Sequence, residues 1–148
     1  MAQVLIAEDD LVMADMVELV LIKSGYQVCG IARTVQEAVA LAKRHRPDLA
    51  VIDVRLAQGD LGTEIVAKSH SLDKSGILYA TGNISAMMRD GVQGHACLTK
   101  PYSFPDLVRS LELVAEIKAT GTTTAPHPRG FRLLPITTAS QVQDLPHG

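Results

Sequence analysis

Tryptophan is absent from the 148 residues, and three tyrosines and two phenylalanines are the whole aromatic complement. Few platforms are left on which exposed bases could stack, and 14 Lys+Arg against 16 Asp+Glu leave no broad basic footprint for a polyanion. No nucleic acid partner is expected. Cys29 and Cys97 are too few for a disulfide framework or a cysteine metal site, which fits a reducing cytoplasm. The apolar runs Val4 to Ala7 and Leu19 to Ile22 fall far short of the ~20 residues of a membrane span. The opening Met1-Ala2-Gln3 carries neither a basic region nor a cleavable apolar segment of secretory type. The expectation is a soluble, cytoplasmic chain with no membrane partner.

What is present is a 47% apolar composition, enough for one sizeable core in a chain of this length. Val4 to Ala7, Tyr26 to Ala32, Leu49 to Ile52, Ile77 to Ala80 and Ala96 to Leu98 are short apolar runs of the kind buried on both faces of a sheet. Helical spacing separates them. It runs from Leu11 to Lys23 with Gly25 at the stop, from a Thr34 cap to Pro47, weakly from Thr63 to Ser69, from Ile84 to Asp90, and from Phe104 to Ala119. Parallel strands need crossover connections, and these carry the helices. The predicted fold is α/β, a doubly wound five-stranded parallel sheet in the flavodoxin-like order 2-1-3-4-5, with a C-terminal extension.

Residues 1–119 are therefore expected to form one domain. From 120 to 148 the composition shifts to Thr, Pro, Gly and His, with Pro126, Pro128, Pro135 and Pro146 opposing any helix. Phe131, Leu133, Leu134 and Ile136 form an apolar island in that tail. Two readings stay open: a disordered tail, or an arm that docks on its own domain or on a second subunit.

In an open parallel sheet, ligands bind beyond the carboxyl ends of the strands. Glu8, Asp9 and Asp10 follow the first strand and Asp53 ends the third. If those strands are neighbours, the carboxylates converge and repel unless a cation joins them, and a hard ion such as Mg²⁺ suits oxygen ligands. Taken singly, Asp9 or Asp10 also reads as a helix cap. Thr81 ends the fourth strand and Lys100 the fifth, adding a hydroxyl and an ammonium to the same edge. Such a set can bind a phosphoryl group, with a carboxylate as nucleophile.

Acids after strand one, a lone Asp after strand three, Thr after strand four and Lys100-Pro101 after strand five together resemble the receiver domain of two-component response regulators. The resemblance spans about Val4 to Ala119. It implies that Asp53 is the phosphorylation site, taking a phosphoryl group from a sensor histidine kinase or a histidine phosphotransfer protein. It implies that Mg²⁺ is held by Asp9 and Asp53, by Glu8 chiefly through water, and by the backbone carbonyl of Arg55. Lys100 would contact the phosphoryl group before a cis Pro101, and Thr81 would move toward it. Arg55 and Asn83 stand at the positions that tune the lifetime of the acyl phosphate, where Arg55 could shield it from water or merely pair with the acids. Homodimers through the last-helix face are another implied property.

Three departures stand out. Cys97 occupies the place of the usual switch aromatic, Gly82 that of the usual Ala, and the stretch from Asn83 to Gly94 is about one helical turn short. The leading expectation is a phosphorylation-dependent switch without an attached output domain, not an enzyme apart from Mg²⁺-dependent self-phosphorylation and self-dephosphorylation. An alternative is a pseudo-receiver that is never phosphorylated. A small Mg²⁺-dependent phosphohydrolase fits less well, since Arg55 stands where such enzymes want a second acid.

Overall fold

The computed structural model describes residues 2–89 and 91–135. Strand β1 (Gln3–Ala7) leads into helix α1 (Leu11–Lys23), then β2 (Gln27–Ala32), α2 (Val35–His45), β3 (Leu49–Asp53), α3 (Thr63–Lys68), β4 (Gly76–Thr81), α4 (Ile84–Arg89), β5 (Ala96–Thr99) and α5 (Phe104–Thr120). Short 3₁₀ turns at Ala57–Gly59 and His70–Leu72 flank α3. A last strand, β6, covers Phe131–Leu133. Asp90, the expected end of α4, and Ile136, the end of the apolar island, lie outside the described residues.

The strand order is β2-β1-β3-β4-β5-β6, so the predicted 2-1-3-4-5 arrangement is present with one strand more than expected. The first five strands are parallel and β6 runs antiparallel to β5, with Leu98 opposite Phe131 and Ala96 opposite Leu133. Two residues of the Thr/Pro-rich extension, Phe131 and Leu134, are buried in the core. This sixth strand escapes sequence reasoning because three residues between prolines and glycines carry no period.

Each apolar run divides its side chains between two layers. Leu5, Ala7, Ala50, Ile52, Ile77 and Tyr79 face α2, α3 and α4. Val4, Ile6, Leu49, Val51, Leu78 and Leu98 face α1 and α5. Burial on both faces is why these strands read as continuous apolar runs. Caps set the helix starts: Asp10 Oδ1 accepts from the amides of Val12 and Met13, and Thr34 Oγ1 from that of Glu37. The Glu37 carboxylate reaches back to the amide of Arg33, one residue beyond the N-cap amide of the capping-box pattern. Lys43, Arg44 and His45 fill the last turn of α2, where cations complement the helix dipole.

Candidate functional site

The carboxyl ends of β1 and β3 are neighbours, which places Glu8, Asp9 and Asp53 together. One carboxylate oxygen from each lies within 4.8 Å of the other two. Asp10 is spent on the cap of α1, so the cap reading holds for that one acid and the cluster takes the other two. Glu8 and Asp53 are buried. Lys100 supplies the opposite charge, its Nζ lying 2.7 Å from Asp53 Oδ2 and 3.8 Å from Glu8 Oε1. Three acids against one ammonium leave the set over-supplied with negative charge. Glu8 shows the result: burial and the neighbouring Asp53 push its carboxyl up to about 7, against the pull of Lys100. A hard divalent cation would relieve that repulsion, and the all-oxygen donor set suits Mg²⁺.

Backbone contacts beyond the strand ends fix these side chains. Lys100 donates its amide to the Thr81 carbonyl at 2.8 Å, and Val54 donates to Ala80 at 3.1 Å. The Arg55 amide donates to Asp53 Oδ1 at 3.3 Å, so the contact seen between Arg55 and Asp53 runs through nitrogen. Gly62 donates to the Val54 carbonyl at 2.7 Å. A Cβ there would run into the Asp53 carbonyl oxygen and stand 2.6 Å from Ile52 Cγ2, so this loop can cross beneath Asp53 only as glycine. The peptide bond between Lys100 and Pro101 is cis, as the resemblance implied.

Thr81 and Asn83 line the same cleft as Asp9, Asp53, Arg55 and Lys100. The Thr81 hydroxyl accepts from the Asn83 amide at 3.0 Å, and Asn83 Oδ1 accepts from the amide of Ala86 at the start of α4. Both side chains thus join the site to α4. Cys97 lies away from the cleft, fully buried, its thiol pushed up by burial. Its register partner on β4 is Tyr79, in the same core cluster. The Tyr79 ring is also fully buried, and its hydroxyl donates to the Gln93 carbonyl at 2.6 Å. A Cβ on Gly94 would come within 2.5 Å of that ring.

Sequence reasoning passed over Gly62 and Tyr79. Gly62 was legible only as a loop glycine. For Tyr79 the signal was a lone aromatic two residues before Thr81, hence on the same face of the strand. His95 is structural as well, since its Nδ1 accepts from the Ile77 amide at 3.0 Å and burial lowers its pKa.

Residues 4–112 match the family model described as the response regulator receiver domain. The chain is 36% identical over 115 residues to the transcriptional regulatory protein PdtaR of Mycobacterium tuberculosis, covering 75% of this chain and 55% of that protein. It is 31% identical over 126 residues to the probable transcriptional regulatory protein TcrX of the same organism, covering 82% and 52%. The chain thus spans about half the length of the curated relatives it matches. Among solved structures it is similar to the anti-anti-sigma factor PhyR of Bartonella quintana, with a TM-score of 0.68 and 28% identity over 81% of this chain and 49% of that one. A CheY-like receiver domain protein of Methanospirillum hungatei matches with a TM-score of 0.70 and 25% identity, over 82% and 98%.

Proposed function

The chain belongs to the response regulator receiver domains, and from that premise we propose that it is a phosphoacceptor switch whose nucleophile is Asp53. The observation that carries this reading is the Lys100 ammonium 2.7 Å from Asp53 Oδ2 and 3.8 Å from Glu8 Oε1, beside the Glu8, Asp9 and Asp53 cluster. An Asp53 carboxylate oxygen attacks phosphorus in the phosphohistidine of a sensor histidine kinase or a histidine phosphotransfer protein. The phosphorus–nitrogen bond breaks, its electron pair returns to the departing imidazole, which takes up a proton, and an acyl phosphate stands on Asp53.

Within the chain, Lys100 offers its ammonium to the phosphoryl oxygens and holds Asp53 in line beforehand. Thr81 can turn its hydroxyl from the Asn83 amide to a phosphoryl oxygen, and Asn83 would carry that change into α4. Asp9 and Asp53 would hold Mg²⁺, Glu8 through water, with the Arg55 carbonyl as a further ligand. When bound, Mg²⁺ neutralises charge building on the phosphoryl oxygens. Arg55 is among the residues that line the cleft, and its guanidinium would either slow attack by water on the acyl phosphate or merely pair with the acids.

Output then proceeds by protein–protein contact from the receiver in the cytoplasm. Intact mass after incubation with Mg²⁺ and acetyl phosphate tests the reading. The native chain should gain one phosphoryl group and Asp53→Asn none. A native chain that gains nothing, and that also fails to take up beryllofluoride, would be a pseudo-receiver.

A further inference from the structure

Ser75 and His95, the residues just before β4 and β5, line a second cavity of about 520 Å³ at the end of the sheet opposite Asp53. That volume suits a small organic molecule. Part of the lining is apolar: Leu72 and Ile77 belong to the buried core, Val66 packs against them, and Ile117 of α5 is half-buried. The charged groups of the lining are the exposed Lys74 and Lys118 and one acid, Asp73. The Asp73 carboxylate lies 3.6 Å from the ring of His70, which does not line the cavity.

His95 adds a third donor. Its Nδ1 accepts from the Ile77 amide at 3.0 Å, and burial, then the nearby Lys118 charge, lowers its pKa, so the neutral ring carries its proton on Nε2. The Nδ1 contact is the ring's one hydrogen bond among the described residues, which leaves the Nε2–H without an acceptor.

We propose that this cavity binds a small organic carboxylate with a hydrocarbon body, the carboxylate against His95 Nε2, Lys74 and Lys118 and the body against Val66 and Ile117. The lining selects that class. Among the described residues no Phe, Tyr or Trp lines the cavity, so a nucleobase finds no aromatic face to stack on. A polyphosphate would set charge in excess of two ammoniums against an apolar wall, at a desolvation cost that nothing there offsets. A single carboxylate matches both the donors and the apolar remainder.

Phenylbutyrate is the probe, followed through the amide resonances of the isotope-labelled full chain. Shifts at Ser75, His95 and Lys118 should saturate with a Kd of about 1 mM or tighter. Phenylbutanol, which lacks the charge, and acetate, which lacks the body, should each bind at least about tenfold more weakly. Lys74→Gln with Lys118→Gln, at exposed positions, should cost about tenfold at an unchanged circular dichroism spectrum. His95→Asn keeps an acceptor for the Ile77 amide, removes the Nε2–H and should weaken the probe as well. Asp53→Asn should bind it as the native chain does, so the outcome is independent of phosphorylation. Shifts confined to the Asp53 cleft or absent throughout overturn the proposal, as do an alcohol bound as tightly as the carboxylate and a probe indifferent to loss of both lysines.

Discussion

Gly62→Ala puts one methyl group beneath Asp53, the proposed phosphoacceptor, where it meets the Asp53 carbonyl oxygen and, at 2.6 Å, Ile52 Cγ2. Carbon atoms pack best at about 3.5–4.0 Å, so the loop or the end of β3 must retreat by about 1 Å. Neither neighbour is a flexible side-chain end: one is main chain and the other a β-branched residue fully buried in the core. Overpacking of this kind costs about 1–3 kcal/mol, or about 4 °C in Tm for each kcal/mol in a domain of this size. The shift acts on the residue whose carboxylate Lys100 holds at 2.7 Å. A misplacement of about 1 Å in a reacting group can cost about 100-fold in rate. Phosphorylation by acetyl phosphate, followed by intact mass, should slow by about that factor while circular dichroism still reports the fold. Gly82→Ala is the control. It adds the same methyl group beside Thr81, but no atom lies within 4 Å and the backbone is not left-handed. It should stabilise by about 0.4–1 kcal/mol and leave phosphorylation unchanged. A Gly62→Ala chain with native Tm and native rate would refute the reasoning.

Glu8 makes stability depend on pH. Its carboxyl, raised from 4.5 to about 7, keeps a proton in the folded chain that the unfolded chain releases. Its contribution is full below about 4.5 and is lost as pH rises through about 7, a loss of about 3 kcal/mol in chelator-treated protein. Urea melts from pH 5 to 8 should show this decline, Glu8→Gln should abolish it, and a native curve flat in pH would contradict it. Phe131→Ala should cost about 3 kcal/mol, because that ring is 3% exposed in the α1/α5 layer, whereas Leu133→Ala at 45% exposed should stay within about 0.5 kcal/mol. Equal losses in denaturant melts would argue against the docking of β6. In the native state a thiol reagent should modify the half-buried Cys29 well before the fully buried Cys97; the reverse order of labelling would count against the core placement of Cys97.

The alternation of short apolar runs with helical periods was legible because each parallel strand is buried on both faces and each crossover carries an amphipathic stripe. Leu49 through Ile52, for example, reads as one buried strand and forms one, with Asp53 as its last residue. The site was legible for a related reason. Glu8, Asp9, Asp53, Thr81 and Lys100 all stand at or just beyond the ends of apolar runs, so strand direction alone puts them at one edge of the sheet. Alternation by itself left open whether Asp9 or Asp10 caps α1, and the hydrogen bonds to Asp10 answer that. Burial of Glu8 beside Asp53, and the raised carboxyl that results, depend on strand adjacency, which no local pattern encodes.

By itself, then, the order of residues determined the alternation of strands and helices along the chain and the identity of the acids, hydroxyl and ammonium at the carboxyl edge, because hydrophobic period and chain direction are local properties. Tertiary structure decided the rest. It set Gly62 beneath Asp53, joined Tyr79 to Gln93 beside a buried Cys97, and laid Phe131 and Leu134 of a Pro-rich segment into the core. Each of these follows from how segments far apart in the chain meet, and its energy comes from the fit of surfaces that come together only once the sheet has formed.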